Sequence, residues 1–483
     1  MSTSTQSDAL QTPPSDADGL GRLARRLVGQ AWPVMIGQWA GIAFGVLDTS
    51  MTGHASPEDL AAMALAVAIN ITVFVGLMGV VHALIPILAQ RLGAGRLEDV
   101  GSGWGQGVWL ALFLSAFGVA VLLFPDPLLA LSGDIEPAVR TRIDGYLIAL
   151  AFALPAALVF RAMYALGAAV SRPKVIMRIM LVGVALKAFF NWVLIFGKFG
   201  LPAFGAVGAG MATALVFWAS VVLAGLVLRH DAYFRRFRLR LGRPRWADQR
   251  ELLRLGLPMG ASYLIEVMAF TFMALMVARS GIAATGAHQI TANLAALCYM
   301  APMALGIATS AQAAQALGAH QWDAARRLGQ AGFLLIVGEV AITVAILLGA
   351  REHIVGFYTD SVDVAVLAVP LLVVLPLFHL ADALHAMTLY LLRAYRIAIV
   401  PMLLQAVALG LVGLVGGWYL AYGPGAGGLA PVIARIAPDA PAGAAALWLM
   451  ATTGLMLSCA LMQPVYWRAL RRTRGAAAAA STP

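Results

Sequence analysis

Six ionisable side chains lie inside long apolar stretches of this 483-residue chain. They are four acids and two bases: Asp48, Glu266, Glu339, Asp382, Arg161 and Lys187. Each such residue costs about 2.5 to 3.5 kcal/mol to place in the middle of a bilayer, so it needs a compensating role. A carboxylate held away from water either takes up a proton or binds a cation, and a group that does either can exchange the two. Since four acids face only two bases, the interior is predicted to contain a cation-exchange site.

The strongest candidates for that site lie in the C-terminal half of the chain. Glu266 and Asp382 are deep in their apolar stretches, and Tyr263 and His379 lie one helical turn before them. Residues at this spacing share one face of a helix. We therefore expect Glu266 and Asp382 to hold the exchanged cation, with Tyr263 and His379 in support. The alternative is a polar contact between helices that is permanently satisfied.

The other four ionisable residues leave several interpretations open. Asp48 lies near the outer end of its stretch, where it takes part in exchange or only bonds to the backbone. Arg161 and Lys187 are the bases of the N-terminal half, and either could pair with Asp48 or extend to the membrane edge. Glu339 lies in an otherwise featureless stretch, where a structural role is an equal alternative.

The composition shows which elements must position these side chains. Residues of the AVILMFWYC class make up 61% of the chain and charged residues 12%, and the mean hydropathy is +0.84. Soluble globular proteins carry about 45 to 50% apolar and about 25% charged residues. The apolar stretches are continuous, which excludes the alternating pattern of a membrane β-barrel. The chain is therefore predicted to be an all-α polytopic membrane protein without a sizeable soluble domain.

Apolar length and turn residues predict twelve transmembrane helices. The predicted spans are 30–50, 60–90, 104–124, 143–170, 173–197, 208–228, 252–278, 285–317, 327–349, 364–392, 397–421 and 442–466. An even number of spans places both termini on one side of the membrane. With the termini and the even-numbered loops inside, 25 of the 33 Lys and Arg residues are cytoplasmic, which predicts that orientation. The net charge of +10 is then explained by anionic lipid headgroups, without nucleic acid as a partner.

The chain consists of two similar halves of six spans each. With an offset of 225 residues, Pro33 falls on Pro258, and the run AQRLGAG at 89–95 falls on AQALGAH at 314–320. Both halves begin on the cytoplasmic side, which predicts a parallel repeat, and duplicated halves are typical of transporters that work by alternating access. The expected organisation is a disordered tail at 1–21, a six-helix bundle at 22–228, a basic cytoplasmic linker at 229–251, a second bundle at 252–467 and a tail at 468–483.

Other classes of protein would need residues that this chain does not offer. Cys298 and Cys459 both lie in apolar stretches, which argues against a disulfide framework or a thiolate zinc cluster. The histidines show no HExxH spacing, and there is no P-loop for ATP. The glycine-rich runs at 101–107 and 423–428 are expected to be turns between helices. A flippase for lipid-linked precursors is the alternative function, although only two bases near mid-span would hold its phosphates.

Four sequence runs share the pattern of one transporter family. They are GVLDTSMTGH at 45–54, FNWVLIFGKFGLPAFGAVGAGMATAL at 190–215, LGLP at 255–258 and GAHQI at 286–290. Together they resemble the multidrug and toxic compound extrusion (MATE) transporters, in particular the NorM-type branch. The resemblance implies two six-helix bundles around a central cleft. It also implies export of cationic or amphipathic drugs, driven by an inward sodium or proton gradient.

The resemblance also assigns roles to individual residues. Asp48 matches the first-helix acid of the family, within D-T-x-M-x-G, which is implicated in coupling and substrate release. Glu266 matches the acid of the seventh helix and Asp382 the acid of the tenth. These two are implied to form the cation site, which would bind Na+ if the transporter is sodium-coupled. Asn191, within the matching run at 190–215, is a further supporting candidate.

The tenth helix departs from the family pattern. His385 stands where the family usually has Gln, and Ala394 ends the motif that is usually L-R-G. Sodium-using members place an aromatic hydroxyl one turn before the acid of this helix, and Phe378 lacks that oxygen. Tyr263 could supply one from the facing helix, so both sodium and protons stay open as the coupling ion.

The sequence therefore predicts a secondary active multidrug exporter rather than an enzyme. It is expected to move lipophilic or cationic drugs outward in exchange for inward Na+ or H+, with no cofactor. The expected surroundings are the bacterial cytoplasmic (inner) membrane and its lipids, and the protein is expected to act as a monomer.

Overall fold

A computed structural model of the chain describes residues 14–130 and 135–480, with side chains described as far as Thr473. Within these ranges every regular element is a helix, and no strand occurs. The twelve long helices are α1 Leu20–Ala55, α2 Pro57–Gly93, α3 Leu97–Leu123, α4 Pro137–Ala169, α5 Pro173–Ile195, α6 Gly205–His230, α7 Trp246–Val277, α8 Ile282–Gly318, α9 Trp322–Gly349, α10 Leu375–Ala394, α11 Ile399–Ala421 and α12 Ala442–Ala480.

The predicted all-α polytopic fold class is confirmed. In the described part of the chain, the eleven helices α2 to α12 are long and apolar enough to cross a membrane. The remaining helix, α1, is 36 residues long and contains the predicted first span. Each of the other predicted spans except the tenth also falls on one of these helices, so apolar length located them correctly.

Prolines interrupt two of the predicted spans. The second span consists of Pro57–Val81 and Leu84–Gly93, and the tenth is divided between Val362–Leu371 and α10. Proline lacks the amide hydrogen of an interior helical residue and clashes with the preceding turn. Pro86 and Pro376, each early in the second segment, account for these breaks.

The chain forms two compact units, and both boundaries between them fall inside long helices. The N-terminal unit is Pro33–Gly260, and the C-terminal unit is Met1–Trp32 together with Ala261–Pro483. The first turns of α1 therefore belong to the C-terminal unit, where Leu23 and Leu27 are fully buried. The first turns of α7 belong to the N-terminal unit.

The glycine-rich run at 101–107 lies inside α3, so the predicted turn at this place is wrong. Close packing is the reason: a Cβ at Gly101 would collide with the carbonyl oxygen of Phe237 in the basic linker. Glycine permits this approach of one backbone to another. The second run, 423–428, does lie in a turn, as predicted.

A short segment before α1 is bonded to the start of α9. Residues 1–13 of the predicted disordered tail lie outside the described residues. Asp16 Oδ1 accepts the backbone N–H of Ala324 at 2.5 Å, and Arg327 Nη2 donates to the Asp16 carbonyl at 2.8 Å. A carboxylate at this place satisfies an otherwise unpaired N–H in the first turn of α9.

An aromatic cluster ties together the helices that position the C-terminal acids. Trp448 of α12 is fully buried, and its ring centroid lies 4.8 Å from that of Phe378 and 6.0 Å from that of Phe270. These residues come from α12, α10 and α7, so the cluster fixes the helices that carry Glu266 and Asp382. In α11, a π-helical stretch, Ala406–Val415, follows Gln405 directly. Such stretches are frequent at functional sites.

Candidate functional site

The acid of the N-terminal unit is held by a fixed positive charge. Asp48 of α1 is buried, and its Oδ1 lies 2.7 Å from Lys187 Nζ of α5. Asn191, one turn after Lys187, donates its Nδ2 to the same oxygen at 2.8 Å. The structure thus brings together Asp48 and its predicted supporting residue Asn191, and it selects the pairing with Lys187 among the interpretations left open by the sequence.

The ammonium group of Lys187 has further oxygen partners on α6. It donates to the carbonyl of Ala209 at 2.9 Å and to Thr213 Oγ1 at 2.5 Å. The side chain of Lys187 is completely buried. Its charge is therefore compensated by Asp48 and its donor hydrogens are used within the helix bundle.

Arg161 lies elsewhere in the N-terminal unit. Its guanidinium is stacked over the rings of Phe74 and Tyr164, 5.6 Å from each centroid. Cation–π contact of this kind stabilises a guanidinium that is removed from water. Arg161 therefore does not have the place beside Asp48 that Lys187 has.

The first acid of the C-terminal unit, Glu266 of α7, is bound by an uncharged group. Gln405 of α11 donates its Nε2 to Glu266 Oε1 at 2.9 Å. The positive charge of Arg393 also acts on this carboxylate, although the two side chains form no ion pair. As a whole residue, Glu266 is half-buried.

The second acid, Asp382 of α10, has no neutralising contact. Within the part of the chain that the structure describes, its carboxylate makes no hydrogen bond and no ion pair. The charge that acts on it is the carboxylate of Glu266, which repels it. A half-buried carboxylate in this situation is stabilised by a proton or a bound cation.

Arg393 and two tyrosines form a buried group beside these acids. Tyr263 and Tyr390 share a hydrogen bond of 2.8 Å between their hydroxyl oxygens, and Arg393 Nη1 donates to Tyr263 at 3.3 Å. The guanidinium also lies over both rings, 5.0 and 4.8 Å from their centroids. Tyr263 is thus directed to Arg393 and Tyr390. Tyr299 of α8 interacts electrostatically with both Glu266 and Asp382.

His379 is directed to a different acid. Its Nε2 lies 3.3 Å from Glu339 Oε1 of α9, and the same oxygen accepts a hydrogen bond from Thr343 at 2.8 Å. Because His379 is one turn from Asp382, the Glu339 group is adjacent to the site along α10. Glu339 therefore has two partners, whereas Asp382 has none among the described residues.

The negative charges of the C-terminal acids exceed the positive charge near them by one. Two carboxylates, Glu266 and Asp382, act on each other, and the guanidinium of Arg393 is the positive group that acts on Glu266. Phe378, the position without a hydroxyl, is packed in the aromatic cluster and supplies no oxygen. The two carboxylates thus carry more negative charge than this one positive group compensates.

Several residues of this site were not singled out by the sequence. Gln405, Tyr299 and Tyr390 carried no motif, and Arg393 was noted only within a departure from L-R-G. An amide in an otherwise apolar helix was the available signal for Gln405. No pattern in one sequence predicts that Arg393, close to the end of α10, is 2% exposed and faces tyrosines.

The family comparison matches both halves of the chain. A family model described as MatE matches residues 33–193 and again residues 258–419. The second match begins 225 residues after the first, at Pro258 as against Pro33, which is the offset of the repeat found in the sequence.

Relatives and solved structures match most of the chain. The probable multidrug resistance protein NorM of Aromatoleum aromaticum is 37% identical over 402 residues, which are 83% of this chain and 87% of that protein. The multidrug resistance protein NorM of Vibrio vulnificus is 32% identical over 441 residues, 91% of this chain and 94% of that protein. The crystal structure of the eukaryotic MATE transporter AtDTX14 matches with a TM-score of 0.81 at 20% identity, covering 95% of this chain and 99% of that one. This last match shows a common fold.

Proposed function

The chain belongs to the MatE family of transporters, and from this premise we propose that it is a secondary active multidrug exporter of a bacterial membrane. It is a transporter rather than an enzyme. The proposed reaction is antiport: a lipophilic or amphipathic cation moves outward while a sodium ion or proton moves inward. The names of the NorM relatives support the drug class of the substrate.

The observation that carries the proposed antiport is the unmatched charge at Asp382. Its carboxylate is repelled by Glu266 and makes no bond to another described residue. An inward-moving cation or proton would neutralise the Asp382 carboxylate. When a cationic drug arrives, the drug would supply the compensating charge and the ion could leave. Since a low-dielectric site tolerates only one compensating charge at a time, occupancy by ion and by drug would alternate.

The neighbouring groups suggest how the ion is held. Carboxylate oxygens are suited to hard cations, and the amide of Gln405 orients Glu266 by a direct hydrogen bond. Tyr263 is bonded to Tyr390 and Arg393, so it is a secondary source of oxygen. We propose Glu266 and Asp382 as the ion ligands and leave sodium and protons as alternatives that the flux assay below distinguishes.

The N-terminal unit supports this choice over the flippase. Phosphate headgroups would require available cationic side chains, and Lys187 is already bound to Asp48, Ala209 and Thr213. We propose that the transporter lies in the cytoplasmic membrane with both termini inside, as the distribution of Lys and Arg favours, and that it acts as a monomer.

Purified protein in liposomes tests this function. Sodium and proton gradients are imposed separately, and efflux of a fluorescent lipophilic cation is recorded for wild type, Glu266→Gln and Asp382→Asn. We expect one gradient to drive efflux in the wild type and both variants to fall to the level of empty liposomes. Glu352→Gln and Asp360→Asn, which change exposed acids in the same way, are the matched controls and should transport normally. Undiminished efflux in Glu266→Gln and Asp382→Asn would refute the proposal.

A further inference from the structure

The surroundings of Lys187 Nζ are those of a bound cation. Three oxygen atoms of three chemical kinds lie within hydrogen-bond distance of it: the Asp48 carboxylate at 2.7 Å, the Ala209 carbonyl at 2.9 Å and the Thr213 hydroxyl at 2.5 Å. Carboxylate, carbonyl and hydroxyl oxygens are also the groups that replace the hydration shell of a small metal cation in proteins. The ammonium thus occupies an oxygen-lined position that would suit an inorganic ion.

A fourth oxygen beside this position has no partner. Asn191 is fully buried and uses its Nδ2 to bind Asp48, while its Oδ1 makes no hydrogen bond to any residue in the described ranges. Leaving a buried amide oxygen unbonded is costly. Asn191, which is bound to the same carboxylate as Lys187, therefore keeps an acceptor that no described residue uses.

The neighbouring helix is shaped to admit the lysine. Ala209 and Ala212 of α6 are both completely buried in the N-terminal unit. The small side chain of Ala209 leaves its carbonyl within reach of the Lys187 ammonium. The position of the charge is determined by packing as well as by attraction to Asp48.

We infer that the Lys187 ammonium is a resident cation, which permanently fills a monovalent-cation site built from Asp48, Ala209, Thr213 and Asn191. Because a buried carboxylate is stable only with a compensating charge, the site must contain either this ammonium or an ion from the medium. In the native protein, the pair of Asp48 and Lys187 consequently has no net charge, without any bound sodium. Removal of the lysine side chain beyond Cβ opens the same oxygens to a small alkali cation.

This inference concerns the N-terminal unit and does not depend on exchange at Glu266 and Asp382. The test therefore uses a background in which both of these acids are amides, Glu266→Gln with Asp382→Asn. Thermal unfolding of the purified full-length protein in detergent is followed while sodium chloride replaces choline chloride at constant ionic strength. Three proteins are compared: the background itself, the background with Lys187→Ala, and the background with Lys187→Ala and Asp48→Asn.

The expected result is a sodium response in one protein of the three. The Lys187→Ala protein should unfold at a lower temperature than the background in choline chloride, and sodium should raise its unfolding temperature with saturation. The background, which keeps Lys187, and the double variant, which lacks the carboxylate, should show no saturable response. Ammonium chloride in place of sodium chloride should also stabilise Lys187→Ala, since the free ammonium ion replaces the missing side-chain ammonium.

Two results would overturn the inference. One is a Lys187→Ala protein whose sodium response equals that of the double variant. A Lys187→Ala protein that folds in neither salt, while the double variant folds, would count in the same way. In both cases no free cation replaces the ammonium. The other is a saturable sodium response in the background protein that disappears when Asp48→Asn alone is added to that background as a fourth protein, because Lys187 then does not fill the site. The second measurement retains the lysine, so it can be made even if removal of Lys187 prevents folding.

Discussion

The acids inside the two units of the molecule have opposite kinds of surroundings. In the N-terminal unit, Asp48 is 2.7 Å from a lysine ammonium that is part of the same bundle. In the C-terminal unit, Glu266 is bound by an amide, and Asp382 has no partner among the described residues. One acid is therefore paired with a base of its own unit, whereas the proposed function has the other two acids neutralised by a charge from outside.

The energetics of buried charge explain why this difference matters. An ion pair removed from water gains little over an uncharged contact, but removing one member leaves an uncompensated charge. The positive partner of Asp48 is covalently attached to the chain, so it cannot leave as a free ion would; the role of Asp48 in coupling stays a prediction. In the proposed function, the compensating charge at Glu266 and Asp382 is not covalently attached, so it could be exchanged.

The largest expected effect comes from breaking the N-terminal pair. In choline chloride, Asp48→Asn alone and Lys187→Met alone should each lower the free energy of unfolding by about 3 to 5 kcal/mol, because each strands a buried charge. The double variant, Asp48→Asn with Lys187→Met, should recover most of that loss. Denaturant unfolding of the purified protein measures all three.

An exposed pair is the matched control for that experiment. Arg140 and Asp144 form an ion pair of 2.9 Å on α4 that is about one third exposed. Because solvent screens such a pair, Asp144→Asn should cost less than about 1 kcal/mol. The single variants at Asp48 and Lys187 should lose more free energy of unfolding than this control and more than the double variant. If either comparison showed no difference, the pair would not be the fixed neutral unit described above.

An intermediate effect is expected at Arg393, the positive group beside the C-terminal acids. Arg393→Gln should make the site more negative and tighten binding of the coupling ion by about 1 to 2 kcal/mol, roughly tenfold, as for unit charges about 10 Å apart at a dielectric constant of about 20. The half-saturating ion concentration for efflux reports this change. Arg393→Lys retains the charge and should behave nearly as wild type. Weaker ion binding in Arg393→Gln would contradict the charge balance proposed for the site.

The smallest effect is expected one turn away, at His379. Glu339 Oε1 already accepts from Thr343 and faces His379, so this oxygen has its partners within the bundle. His379→Gln and Glu339→Gln should each change the half-saturating ion concentration by no more than about twofold, the size expected when a hydrogen bond of under 1 kcal/mol is altered. A loss of efflux as complete as in Asp382→Asn would instead place His379 and Glu339 within the exchange site.

The fold was predictable because it follows from local properties of the sequence. Continuous apolar length identified the helices, and the offset between Pro33 and Pro258 identified the repeat. The mistake at 101–107 has a physical cause: glycine marks a turn and also a close approach of backbones, and the packing of Phe237 and Arg240 against this run distinguishes these.

The candidate site was predictable in its acids and unpredictable in their partners. A carboxylate in an apolar helix is visible in the sequence, so Asp48, Glu266 and Asp382 could be named. Whether each one meets a base depends on helix rotation, which a single sequence does not specify. For this reason the choice between Lys187 and Arg161 stayed open, and Gln405 was not anticipated.

Displacement of the coupling ion by substrate tests the central comparison most directly. A lipophilic cation is added to the purified transporter in a weakly buffered medium, and pH and sodium electrodes record what is released. We expect about one monovalent ion per bound drug, as charge balance at a low-dielectric site requires. Release should persist in the double variant Asp48→Asn with Lys187→Met and vanish in Glu266→Gln with Asp382→Asn. Release that persists without the C-terminal acids, or that disappears with the N-terminal pair alone, would contradict this account.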